Sequence, residues 1–151
     1  MFRGVSSINM DGKGRMAFPT RYRERLMEQC DGNLVITIDT EERCLLIYPL
    51  PEWEVIEKKI EALPSFNRAA RRIQRLLIGH ATDLELDGSG RILLPAPLRE
   101  YAGLDKKLML IGQGKKFELW SEEHWDRCRD DYLDEGSDAD ALPEEMMNLS
   151  L

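Results

Sequence analysis

Apolar and polar residues alternate around Ile8 and Met10, break at Asp11-Gly12-Lys13-Gly14-Arg15, and alternate again around Met16 and Phe18. A period of two on both sides of a glycine-rich break predicts a β-hairpin. The pattern returns at Leu84 and Leu86, then at Ile92 and Leu94, around Asp87-Gly88-Ser89-Gly90-Arg91. After each hairpin a proline opens a short helical stretch, near residues 19–28 in the first case. In the second, Pro97 is expected at the first helical position with Gly103 as the stop signal. Two apolar strands follow each helix, 34–38 with 44–48 and 108–111 with 117–120. The run Gly112-Gln113-Gly114-Lys115-Lys116 reads as the turn between the last two.

These segments are two copies of one unit. The Asp-Gly-x-Gly-Arg motif repeats at an offset of 76, which also carries Pro19 onto Pro95 and Arg23 onto Arg99. Leu34-Val35-Ile36 falls on Leu108-Met109-Leu110, and Tyr48 with Trp53 on Trp120 with Trp125, after two-residue deletions in the loops. The boundaries drawn from this are 5–53 and 81–125 for the two units, 54–80 for a linker and 126–151 for a helix end and mobile acidic tail. A unit of this size buries too little core alone, so the two copies are expected to complete each other. The linker carries apolar residues at helical spacing, Trp53, Ile56, Ile60 and Leu63. After Pro64 and Ser65 comes a second stripe, Phe66, Ala69, Ala70, Ile73 and Leu77, so an antiparallel helical hairpin is expected. The predicted fold is α+β, mainly β.

Charge changes the picture because it is uneven. The 151 residues carry a net −7, yet residues 121–151 alone hold eleven acids and two arginines. The first 25 residues have six basic and two acidic side chains, and Arg68, Arg71, Arg72 and Arg75 stand in a segment, 66–80, without an acid. An acidic total therefore coexists with two basic stretches that suit an anionic partner. No apolar run approaches a membrane span, and the polar start is unlike a secretory leader, so a cytoplasmic protein with no membrane partner is expected. Cys30, Cys44 and Cys128 are far apart and lack paired metal-ligand spacing, which points to reduced thiols and no metal.

Each motif places an arginine at the tip of a hairpin, four residues after an aspartate. One reading is a neutralised pair that only fastens the turn. The other is an aspartate that holds the loop while the arginine projects, its planar fork able to grip guanine O6 and N7 or a phosphate. Gly12, Gly14, Gly88 and Gly90 allow the tight loop, and Asp11 and Asp87 accept hydrogen bonds within it. Lys13 adds a phosphate-seeking charge that Ser89 does not, so the first loop is expected to bind more strongly. Neither loop has the spacing of a nucleotide phosphate loop or a calcium loop, and no local motif pairs a nucleophile with His80 or His124. An enzyme, a cofactor and a small-molecule effector are not expected. The four linker arginines lie on one helical face, read as solvated, as subunit contacts or as phosphate contacts; Arg3 joins the last two readings.

The opening Met1-Phe2-Arg3-Gly4, the D-x-x-x-R loops, the run Tyr48-Pro49-Leu50-Pro51-Glu52-Trp53 and the run Arg75-Leu76-Leu77-Ile78-Gly79-His80-Ala81 resemble the bacterial MraZ family over nearly the whole chain. That resemblance implies tandem AbrB-like units of the swapped-hairpin β-barrel type, folded as a pseudo-dimer, which assemble into rings. It further implies a nucleoid-associated repressor that binds direct repeats in double-stranded DNA, upstream of its own division and cell-wall gene cluster. Arg15 and, by repeat equivalence, Arg91 are the DNA contacts the resemblance implies, and the charge of Lys13 adds it to them as a candidate DNA contact. The reading from another class is a non-catalytic oligomeric scaffold whose Asp-Arg loops merely stabilise turns.

Overall fold

The computed structural model describes residues 1–135 and 143–149. Strand β1 (Phe2–Asn9) leads through the first loop to β2 (Arg15–Ala17), helix α1 (Thr20–Cys30), and strands β3 (Asn33–Ile38) and β4 (Leu45–Pro49). The linker holds α2 (Leu50–Glu61) and α3 (Arg68–Ile73), the latter continued by a π-helical turn, Gln74–Ile78. The order then repeats with β5 (Thr82–Glu85), β6 (Arg91–Leu93), α4 (Ala96–Ala102), β7 (Lys107–Gly114) and β8 (Lys116–Ser121), followed by α5 (Glu122–Glu135) and α6 (Glu144–Met147).

The expected hairpins do not close on themselves. A single bridge, Met10 to Met16, joins the arms of the first, after which β1 pairs with β7 and β2 pairs with β6. On the other side β5 pairs with β3. The copies thus exchange strands, giving an antiparallel sheet of order β1-β7-β8-β4-β3-β5 and a two-stranded ribbon β2-β6. Alternation fixes which face of a strand is buried but not which strand lies beside it.

One core explains the exchange. Phe18, Leu26, Ile36 and Ile47 from the first half pack with Ile92, Leu94, Leu110 and Phe117 from the second, all buried. Phe117 sits at the centre, its ring 4.3, 5.4 and 4.9 Å from those of Phe2, Phe18 and Tyr22. The expectation that two small units complete each other is met by side chains from both. On the other face of the sheet, Val35, Tyr48 and Trp53 form a second cluster under α2 and the π-helical turn, and Trp120 packs with Cys128 under α5. The repeat-equivalent pairs Tyr48–Trp53 and Trp120–Trp125 have ring centroids 5.6 and 5.4 Å apart.

Several boundaries differ from expectation. The Asn67 side chain accepts the N–H groups of Ala69 and Ala70, so α3 begins after it and Phe66 falls outside the helix. Phe66 is 89% exposed, beside the arginines rather than opposite them; Ala69 is exposed too, leaving Ala70, Ile73 and Leu77 as the inward stripe. The helical hairpin is present: the Gln74 amide donates to the carbonyls of Ile60 and Leu63 at 3.1 and 3.3 Å. Gly112 to Gly114 extend β7 and Lys116 opens β8, so only Lys115 lies between the last two strands. Helix α4 starts at Ala96, one residue before Pro97, and stops at Gly103 with φ +60°. Half of the acidic tail expected from Asp134 lies outside the described residues; Asp134 and Glu135 belong to α5, and Glu144–Met147 form α6.

Candidate nucleic-acid interface

The two loops are built alike. Asp11 Oδ1 accepts the backbone N–H groups of Lys13 and Arg15, both at 2.9 Å, and Oδ2 accepts Arg15 Nε at 3.2 Å. Asp87 does the same with Ser89 and Arg91 at 2.8 and 2.9 Å, and with Arg91 Nε at 3.0 Å. The part common to both readings of the motif is present. The aspartate fastens the turn and grips the arginine by Nε, and among the described residues neither terminal nitrogen of either guanidinium donates a hydrogen bond. The arginine side chains are 33% and 39% exposed. A guanidinium oriented from behind, with its fork open to solvent, is preorganised for an anion or a base edge.

The ribbon fixes where the arginines stand. Arg15 is opposite Leu93 and Arg91 opposite Ala17, while Met16 is opposite Ile92. Met16 and Ile92 are buried, so Arg15, Ala17, Arg91 and Leu93 share the outward face. Strand spacing puts the two arginine Cα atoms roughly 8 Å apart on that face. Between them stands Leu93, 56% exposed. Leu93 is not among the residues expected from the sequence, although its place between buried Ile92 and Leu94 in the alternation marks it as outward.

Glycine is required at only one position per loop. Gly14 and Gly90 have φ of +87° and +71°, whereas Gly12 and Gly88 do not enter the left-handed region, and a Cβ on either would meet nothing within 4 Å. A Cβ on Gly14 would lie 2.8 Å from Arg99 Cζ, and one on Gly90 would collide with Arg23 Cδ and Nε. The other basic candidates lie elsewhere. Arg3 is exposed near the start of β1, roughly 20 Å along the strand from the loop. Arg68, Arg71, Arg72 and Arg75 line, with Phe66 and Leu76, a hollow of about 590 Å³. Among the described residues none of these four makes an ion pair.

Both aspartates are held below the ordinary carboxylate range, chiefly by the backbone N–H of Arg15 or Arg91, with Lys13 or Ser89 and the arginine side chain adding to it against a desolvation cost. A depressed folded-state value stabilises the loop above the ordinary value of 3.8 and loses that contribution as pH falls through the depressed one. The amide signals of Lys13, Arg15, Ser89 and Arg91 are therefore expected to titrate with midpoints below 3.8; an NMR pH series with midpoints at or above it would refute the tether. Burial pushes the thiols of Cys30, Cys44 and Cys128 up, so they remain protonated at neutral pH. Among the described residues no group of three or more His, Cys, Asp or Glu side chains is placed to hold a metal, and no helix is long and apolar enough to cross a membrane.

Fold and site together define a class: a duplicated α+β protein built on an antiparallel sheet, whose exposed chemistry is a pair of aspartate-tethered arginines. The chain belongs to the MraZ family. It matches the family described as "MraZ protein, putative antitoxin-like" twice, over residues 1–76 and 77–145. It is 61% identical to a protein of Alkalilimnicola ehrlichii, 58% to one of Halorhodospira halophila and 61% to one of Coxiella burnetii, covering 100% of both chains in each case. All three relatives are called transcriptional regulator MraZ.

Proposed function

We propose that this protein is a sequence-specific DNA-binding transcriptional regulator without catalytic activity, and that the β2-β6 ribbon is its reading surface. The observation that carries this is the pair of arginines on one outward face, each held at Nε and free at its fork. A two-stranded ribbon is slim enough for the major groove, and a bidentate arginine–guanine pair discriminates by about 1–3 kcal/mol. Leu93 and Ala17 between the arginines suit thymine methyl groups. The strand exchange supports the AbrB-like swapped-hairpin reading, with units at 5–53 and 81–125. The targets are direct repeats in the promoter of the protein's own division and cell-wall gene cluster, repressed by occlusion at the nucleoid.

A single chain offers few phosphate contacts, so assembly of several copies, as in a ring, supplies avidity. The linker arginines are assigned to that assembly. Helices α2 and α5 are repeat-equivalent, and the π-helical turn after α3 packs over α2, whereas Asp130, Asp131, Tyr132 and Leu133 of α5 are exposed. The arginine face of one copy complements this acidic surface of the next.

Labelled promoter DNA titrated against a scrambled duplex at about 150 mM salt tests the reading, because nonspecific binding there is weak, roughly 10⁻⁴–10⁻⁶ M. A preference of about 10³ or more is expected; equal weak binding favours the scaffold. The double variant Arg71→Glu, Arg72→Glu is expected to lower the assembled mass in light scattering while a one-repeat duplex binds as before. Unchanged mass with weaker one-repeat binding would assign these arginines to phosphates.

A further inference from the structure

Arg23 and Arg99 stand outside the Asp-Arg motif yet lie against it, each on the loop of the other half. Arg99 projects from α4 of the second half, and its guanidinium occupies the space a side chain on Gly14 would need: a Cβ there would be 2.8 Å from Cζ, 2.9 Å from Nη1 and 3.0 Å from Nε. Arg23, from α1 of the first half, occupies the same space beside Gly90. The offset of 76 that superposes Gly14 on Gly90 also superposes Arg23 on Arg99. The backbone repeats the crossing. The Gly14 carbonyl accepts the N–H of Leu94 at 2.8 Å, and the Gly90 carbonyl accepts the N–H of Phe18 at 2.9 Å. The halves differ at Nε: Arg23 Nε donates to the Phe18 carbonyl at 2.7 Å, whereas Arg99 Nε is buried with no partner among the described residues.

We propose that Arg99 is a positioning residue for the first loop and Arg23 for the second, so that the arginine of each loop is aimed by the opposite half of the chain. The planar Arg99 guanidinium is a plate beside Gly14, and the Cδ and Nε of Arg23 fill the same space beside Gly90; each excludes a side chain and limits its loop's retreat from the ribbon. The effect on Arg15 passes through Gly14, one residue away, whose left-handed backbone sets the direction in which the chain enters β2. This deepens the DNA-binding reading and rests on it for its affinity arm only.

The pattern expected is crossed. By hydrogen exchange, Arg99→Ala raises exchange at the Gly14 and Arg15 amides and leaves Gly90 and Arg91 unchanged; Arg23→Ala does the reverse. In promoter binding, Arg99→Ala weakens affinity about tenfold in the parent protein but less than about twofold in an Arg15→Ala background, while its effect persists with Arg91→Ala. An equal loss in every background would make Arg99 an independent DNA contact and overturn the proposal, as would coupling to Arg91 instead of Arg15. Unchanged exchange in both loops would reduce both arginines to packing and also overturn it. Should Arg15→Ala leave DNA binding intact, the DNA reading fails while the exchange pattern still decides the positioning role. Arg99→Met, which keeps the apolar stem and removes the plate, serves if the alanine variant does not fold, with assembled mass and far-ultraviolet dichroism as controls.

Discussion

Arg15→Ala is expected to weaken binding to a single promoter repeat by about ten- to a hundredfold, the range of one lost bidentate base contact. Its assembled mass should not change, because among the described residues the side chain is anchored only to Asp11 of its own loop. On DNA with several repeats the loss should be larger, since every engaged chain lacks the contact. Lys13→Ala should differ in kind: a lost phosphate contact lowers affinity for specific and scrambled duplexes alike and reduces the salt slope by about one. Arg91→Ala should cost less than Arg15→Ala, because the second loop has Ser89 where the first has Lys13. Fluorescence anisotropy on a one-repeat duplex, with light scattering beside it, checks all three. Unchanged one-repeat affinity for Arg15→Ala would remove the ribbon as the reading surface.

Phe117→Ala is expected to destabilise the fold by about 3–5 kcal/mol, the cost of emptying a fully buried aromatic site. That is a large share of the roughly 5–15 kcal/mol that holds a typical domain together. The residue comes from the second half, but three of its aromatic neighbours, Phe2, Phe18 and Tyr22, come from the first. Both halves should therefore lose stability together. Denaturant unfolding followed at Trp53 and, in a separate single-tryptophan variant, at Trp120 should give coincident transitions before and after the substitution. Transitions that separate would show that each half keeps a core of its own.

The duplication, the Asp-Arg loops, the helices and the need for a shared core were legible because each leaves a local or periodic mark. Asp11 and Arg15 recur as Asp87 and Arg91 with the same bonding. The partners of the strands were not legible: Ile8 and Met10 have the alternation of a hairpin arm, and nothing in it says that β7 rather than β2 lies alongside. Phe66 was misplaced because its spacing fits the stripe, whereas the Asn67 cap starts the helix at Arg68, two residues too late to include it. Arg23 and Arg99 stood out as a repeat-equivalent pair, but the contact of each with the opposite loop depends on the strand exchange. Leu93 was visible in principle, as the outward residue between two inward ones.

Joining the two loops in one polypeptide has a consequence for the kind of DNA word they read. A homodimer with one loop per chain presents two identical readers related by a twofold axis, and its operator mirrors that symmetry as a palindrome. Here the readers have separate codons. Lys13 precedes one strand of the ribbon where Ser89 precedes the other, at opposite ends of the antiparallel pair. The ribbon thus has a polarity that no symmetric dimer possesses, and an operator half need not resemble its neighbour read backwards. Such a reader fits words repeated head to tail, each bound in one orientation.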